Sequence, residues 1–252
     1  MSGPVRSGAY RRRIRVVIDA PGSVAGGLED DFHYFQVQVR HDAEHVTAVD
    51  AQSRRWPWTT CPGAAQPLRA LAGMPLSCRC LAVGDWTDPR QNCTHMFDLA
   101  GLAVAHAARG GAIGTTRQYD VAIPFGAQGG RRTDVQLWRD GESTLTWTLE
   151  GFTCIDPPPY AEVRWRGGFL RWADETFDPD AAEAAIVLRR ACDIGMGRGM
   201  DLDAIPNAVD ILDTQGRICH TMQPGIVEVA QRNRGTIRDY DGRVEELLAD
   251  GP

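Results

Sequence analysis

Between Phe32 and His41 the side chains alternate, with Phe35, Val37 and Val39 on one face and Tyr34, Gln36, Gln38 and Arg40 on the other. A period of two marks a half-buried antiparallel strand, and it gives His33 the parity of the core face. The same alternation predicts a strand over Arg13 to Ala20, where Ile14, Val16 and Ile18 interleave with Arg13 and Arg15. A third follows from Val46 to Ala51, after the turn Asp42-Ala43-Glu44. Between the first two strands, Pro21-Gly22-Ser23 and Gly26-Gly27 predict a loop ending in the acidic cluster Glu29-Asp30-Asp31.

The period then lengthens. Ala64 to Ala72 predicts a helix that Gly73 can terminate. A longer helix opens at Asn92, a favourable N-cap, carries Met96, Leu99, Ala100, Ala103 and Ala107 as one stripe, and stops at Gly110-Gly111. Alternation returns at Tyr119, Val121, Ile123 and Phe125 and again at Leu145, Trp147 and Leu149, with Asp140-Gly141 as a hairpin turn. Pro157-Pro158-Pro159 interrupts this meander, and Val163 and Trp165 point to one more strand. Asp178-Pro179 opens a helix to about Cys192 in the order of cap then proline, and the tail predicts a strand at Ile218 to Met222 and a short helix at Val244 to Leu248. The expected fold is α+β, antiparallel sheets with helices packed on one side. A Cys/His-containing core spans residues 1–156, and an extension over 157–252 packs on the same core.

Composition narrows the chemistry. The 252 residues suffice for a genuine core, and 33 acidic against 27 basic residues give a net charge of −6, which argues against nucleic acid as a partner. Every basic residue counted is an arginine. The absence of lysine excludes a Schiff-base lysine, a lysine general base and a phosphate-loop lysine within this chain. The glycine-rich Gly195-Met196-Gly197-Arg198-Gly199 follows a helix instead of joining a strand to one, so it is not a nucleotide loop. Seven cysteines, with Cys78 and Cys80 too close for an ordinary bridge, indicate reduced thiols. Met1 to Val17 holds no apolar run of signal-peptide length, and no window approaches the ~20 apolar residues of a membrane span. These features place the protein in the cytoplasm, with a small-molecule substrate, no membrane partner and a form compatible with a homodimer.

Three groups of residues could carry chemistry. Cys61 sits between a strand exit and a helix start, where backbone N–H groups lower a thiol's pKa. Cys93 lies at the next helix entrance, followed by His95 and by Asp98, placed to orient the imidazole. Asp30-Asp31-Phe32-His33 sets a carboxylate pair before a histidine, a second acid–base group in which Asp31 pairs with His33, and Trp56 and Trp58 could wall an aromatic-sized pocket. One reading is a cofactor-independent enzyme acting on a small apolar or aromatic metabolite, a lyase, isomerase or hydrolase. Here His95 is the base, Cys61 or Cys93 the nucleophile or polar contact, and His33 with Asp31 a second acid. A competing reading uses Cys61, Cys93 and His95 as ligands of zinc or of an iron–sulfur cluster. A third is a binding module without catalysis.

Cys61-Pro62-Gly63-Ala64 and Asn92-Cys93-Thr94-His95-Met96, with Leu71-Ala72-Gly73-Met74-Pro75-Leu76 between them, resemble an uncharacterised bacterial family, domain of unknown function 2889, over about residues 10 to 150. Members of that family tend to read Cys-Pro-Asp and Gly-Cys-Thr-His-Leu, where this chain has Gly63 and Asn92. The layout of strands, a junction cysteine, and a cysteine and histidine before a second helix is also similar to iron–sulfur scaffold proteins. That likeness implies a scaffold-like N-terminal half in which Cys61 and Cys93 stand at ligand positions, Gly63 replaces the ligand aspartate, and His95 follows its cysteine.

Overall fold

The structure, a computed structural model, describes residues 8–126 and 132–252; the first seven residues of the charged N-terminal segment lie outside them. Two compact units share the chain. One takes Met1–Arg13, Gln118–Asp201 and Asp239–Leu247, the other Ile14–Arg117, Leu202–Arg238 and Leu248–Pro252. The expected boundary between Asp156 and Pro157 falls inside the first of these. Strands β1 (Ala9–Ala20) and β5 (Thr116–Pro124) each run through the division.

In the second unit β2 (Ser23–Asp30), β3 (Tyr34–His41) and β4 (Val46–Arg55) form an antiparallel meander, with Leu28 opposite Phe35 and Val39 opposite Val49. Phe35, Val37 and Val39 are buried, as their alternation requires. Helix α1 (Thr94–Arg109) lies on β2 and β3, and its whole apolar stripe is buried. Cys93 is its N-cap, one residue beyond the expected Asn92.

Three expectations in this unit need correcting. The segment before Asp30 is strand β2, not loop. A Cβ on Gly26 would come within 3.1 Å of the Leu99 and Val37 side chains, and one on Gly27 within 2.7 Å of the Pro252 backbone. These glycines admit close neighbours instead of breaking the strand. The helix expected over Ala64 to Ala72 is two 3₁₀ turns, Cys61–Ala65 and Pro67–Leu71. Pro67 has no N–H to bond the Gly63 carbonyl, so an α-helix cannot run through it. The strand expected at Ile218 to Met222 is a 3₁₀ turn, His220–Met222, whose entering N–H bonds Asn92 O at 2.9 Å while Met222 N–H folds back to Cys219 O.

In the first unit β5, β6 (Thr133–Arg139), β7 (Glu142–Glu150) and β8 (Thr153–Asp156) form a second antiparallel meander. Asp140 and Gly141 turn the β6–β7 hairpin at φ 54° and 87°, the left-handed pair a tight hairpin needs. Helix α3 (Pro179–Gly195) packs on β6 and β7, and the Asp178 side chain accepts the N–H groups of Asp180 and Ala181. A short helix, α2 (Phe169–Thr176), was not expected. The strand expected around Val163 is reduced to a bridge between Thr153 and Arg164, and the final helix to one turn, Val244–Glu246. The fold is mixed α+β with antiparallel sheet and helices on its face.

Candidate metal centre

The turn from β2 to β3 is built on Asp30. Its N–H donates to His33 O at 2.9 Å, while its carboxylate Oδ1 accepts the N–H groups of Phe32 and His33, both at 2.8 Å. An aspartate that takes the two following amides in this way replaces a backbone acceptor and fixes a tight turn. The same Oδ1 lies 3.0 Å from His33 Nδ1, so the turn sets the imidazole as well as the backbone.

Arg55, the last residue of β4, clamps the outside of the turn. Its Nη2 donates to Asp30 O at 2.6 Å, His33 O at 3.1 Å and Glu29 Oε1 at 3.1 Å. Nη1 donates to Asp31 O at 3.2 Å and Thr236 O at 3.1 Å. A planar guanidinium with five donors can hold several carbonyls at once, which a lysine cannot.

Helix α1 delivers His95 from its first turn. The His95 ring lies 3.9 Å from that of His33, centroid to centroid, and both rings stack against Phe35 at 5.7 Å. Oδ1 of Asp30 already accepts two backbone N–H groups and lies against His33 Nδ1, and the other oxygen, Oδ2, faces His95 Nε2 at 4.0 Å. One ligand atom each from Asp30, His33 and His95 falls within 4.8 Å of the others, and all three residues are buried. Ligands held at about 2.0–2.2 Å stand roughly 3.4 Å apart in a tetrahedron, so the Asp30–His95 pair closes on an ion with roughly 0.6 Å of movement. A buried carboxylate beside two imidazoles is a metal donor set. It overturns the expectation of an enzyme that works without a cofactor.

The other expected site residues are distributed around this centre. Cys93 is buried, with Sγ 4.0 Å from His95 Nδ1. Burial, and then the Cys61 thiol, push its pKa well up, against partial offset from the backbone N–H groups of Met96 and His95. Cys61 is pushed up to about 12 by burial, with the Thr221 hydroxyl at 3.7 Å opposing. A junction position favours the thiolate, but desolvation is the larger effect for both thiols. Cys61 belongs to an apolar cluster with Trp58, Met222, Val227 and Ala230, against which Trp56 packs, and the two histidines take no part in it. Asp98 is half-buried on α1, one turn after His95. Asp31 is fully buried, and its carbonyl also accepts Arg238 N–H at 2.8 Å.

One member of the centre, Arg55, was missed from sequence. Asp30 stood in the expected Asp30-Asp31-Phe32-His33 group, but the acid role went to its neighbour Asp31, although the place of Asp30 three residues before His33, between two strands, is the signal for an aspartate-capped turn. Arg55 lay beyond the expected end of its strand. His106 Nε2 lies 3.0 Å from Thr115 O and His220 Nδ1 3.2 Å from Gln91 O.

No helix among the described residues is long and apolar enough to cross a membrane. A search of curated proteins returns no match. The model of the family described as Protein of unknown function (DUF2889) matches residues 25–109, and this matched segment contains Asp30, His33, Arg55, Cys93 and His95.

Proposed function

We propose that the protein holds a single divalent transition-metal ion, zinc or iron(II), on Asp30, His33 and His95. The observation that carries this is the convergence of three buried donor atoms within 4.8 Å. Two imidazoles and one carboxylate suit a mononuclear borderline ion, and three protein ligands leave positions open for water or a small molecule. When bound, the ion supplies Lewis acidity. The chain's own residues do the rest: Asp30 and Arg55 fix the turn, Phe35 holds the two rings, and burial keeps bulk water away.

The iron–sulfur alternative shares the idea of a resident metal and draws on the scaffold-like layout. Cluster iron is held chiefly by cysteine thiolates, and neither Cys61 nor Cys93 is among the converging donors. This favours the mononuclear form. Elemental analysis of protein purified without chelator tests it. Stoichiometric zinc or iron without sulfide supports the proposal. Iron with stoichiometric acid-labile sulfide and a brown colour supports the cluster, and metal-free protein that takes up neither ion refutes both.

A further inference from the structure

His95 has two ring nitrogens, and the structure gives each a different neighbour. Nε2 faces Asp30 Oδ2 at 4.0 Å, and Nδ1 faces Cys93 Sγ at 4.0 Å. The helix start brings Cys93 and His95 together, because Cys93 is the N-cap of α1 with φ −68° and ψ 124°, and His95 sits in the first helical turn.

An imidazole that presents one nitrogen to a metal must carry its proton on the other. Metal-bound histidines nearly always donate that second N–H to an acceptor, which fixes the tautomer and the ring plane. Histidine 95 is only 7% exposed, so bulk water is a poor acceptor there. A sulfur atom accepts a weak hydrogen bond at longer range than oxygen does.

We infer that Cys93 is a positioning residue of the metal centre, its sulfur accepting the His95 Nδ1–H while Nε2 turns to the ion. This rests on the metal reading of Asp30, His33 and His95 and adds to it a role for a cysteine that is not a ligand. Cys93, expected with Cys61 as a nucleophile or polar contact, becomes an orienting group. Its free, buried thiol is kept next to the ring by the helix start.

The test uses the full chain after chelator treatment. Zn²⁺ affinity is measured by competition with a metallochromic chelator, and the Co²⁺ form is recorded by absorbance, for wild type, Cys93→Ala, Cys93→Ser and Cys192→Ala. Loss of an outer acceptor costs about 10–100-fold in metal affinity. Cys93→Ala is expected to lose that much, with altered Co²⁺ d–d bands. Cys93→Ser, which keeps an acceptor, stays within a few-fold of wild type. Cys192→Ala, at another fully buried thiol in α3, leaves affinity unchanged and so reports the cost of a core cavity alone. Wild-type affinity and spectrum in Cys93→Ala overturn the inference while leaving the metal site intact. A thiolate-to-cobalt charge-transfer band that disappears in Cys93→Ala also overturns it, by making Cys93 a ligand. Absence of binding in wild type overturns both this role and the metal reading.

Discussion

The imidazoles of His33 and His95 lie with centroids 3.9 Å apart and planes inclined by 31°. Two imidazolium charges at that separation repel by about 4 kcal/mol at an effective dielectric constant of about 20. The fold therefore holds a pair of rings that cannot both be cationic without substantial cost, beside a carboxylate with no solvent exposure. Two neutral rings around one cation resolve that conflict, and the expected consequences are specific.

Asp30→Asn separates fold from metal binding. The amide oxygen can still accept the Phe32 and His33 N–H groups, so the turn forms, but the ligand charge is gone. Zinc affinity is expected to fall beyond the ~10–100-fold cost of losing an outer partner. Thermal unfolding shifts by only a few degrees in the metal-free state. Calorimetric melts of metal-free and loaded protein check both halves.

Arg55→Ala removes the donor shared by four carbonyls and Glu29. Its side chain is only 10% exposed, so Glu29 loses a buried cation and keeps neutral donors such as Leu248 N–H. A loss of about 3–5 kcal/mol in urea unfolding is expected. Arg55→Lys does not restore it, because one ammonium cannot reach the same fan of acceptors. Equal stability of Arg55→Ala and wild type contradicts this view of the clamp.

Gly101→Ala tests how closely α1 is approached. Alanine gains about 1 kcal/mol over glycine in a helix interior. A Cβ there would sit 2.1 Å from Cys80 O, a backbone atom that cannot swing away. Net destabilisation of about 1–3 kcal/mol is expected, as for overpacking elsewhere. A more stable Gly101→Ala protein would show that the chain at Cys80 is free to move.

The thiols give a pH dependence. Cys61 is raised from the ordinary 9.0 to about 12 by burial, and Cys93 moves the same way. A group raised on folding contributes stability that is complete below its unfolded value and is lost as pH rises towards the folded one. Urea midpoints are expected to hold up to about pH 9 and fall from there towards about pH 12. In the folded protein at pH 8, iodoacetamide should label the exposed Cys78 long before Cys61 or Cys93. Mass spectrometry showing the three alkylated at equal rates refutes their burial.

Much of this arrangement is visible in the sequence. The alternation of Phe35, Val37 and Val39 placed His33 on the core face, and the stripe from Met96 to Ala107 placed α1 on the sheet. The choice between Asp30 and Asp31 is not visible, because alternation stops at the turn and the closure from Asp30 N–H to His33 O decides which of the two buried carboxylates meets the histidines. Strand β2 was hidden by Gly26 and Gly27, whose partners Leu99 and Pro252 are distant in sequence. Arg55 was hidden because Gln52 to Arg55 carries no apolar period, and pairing with β3 alone keeps it extended. Cys61 and Cys93 looked like ligands by their junction positions, whereas burial, a property of the packed chain, governs their chemistry.

The most direct test of the metal centre is isothermal titration of Zn²⁺ into chelator-treated protein. Wild type, Asp30→Asn, His33→Ala and His95→Ala are compared, each first shown by circular dichroism to be folded. A single stoichiometric site in wild type, abolished or strongly weakened in all three variants, is the expected result. Binding in wild type that survives all three substitutions, or no binding by folded wild type, contradicts a metal site at Asp30, His33 and His95.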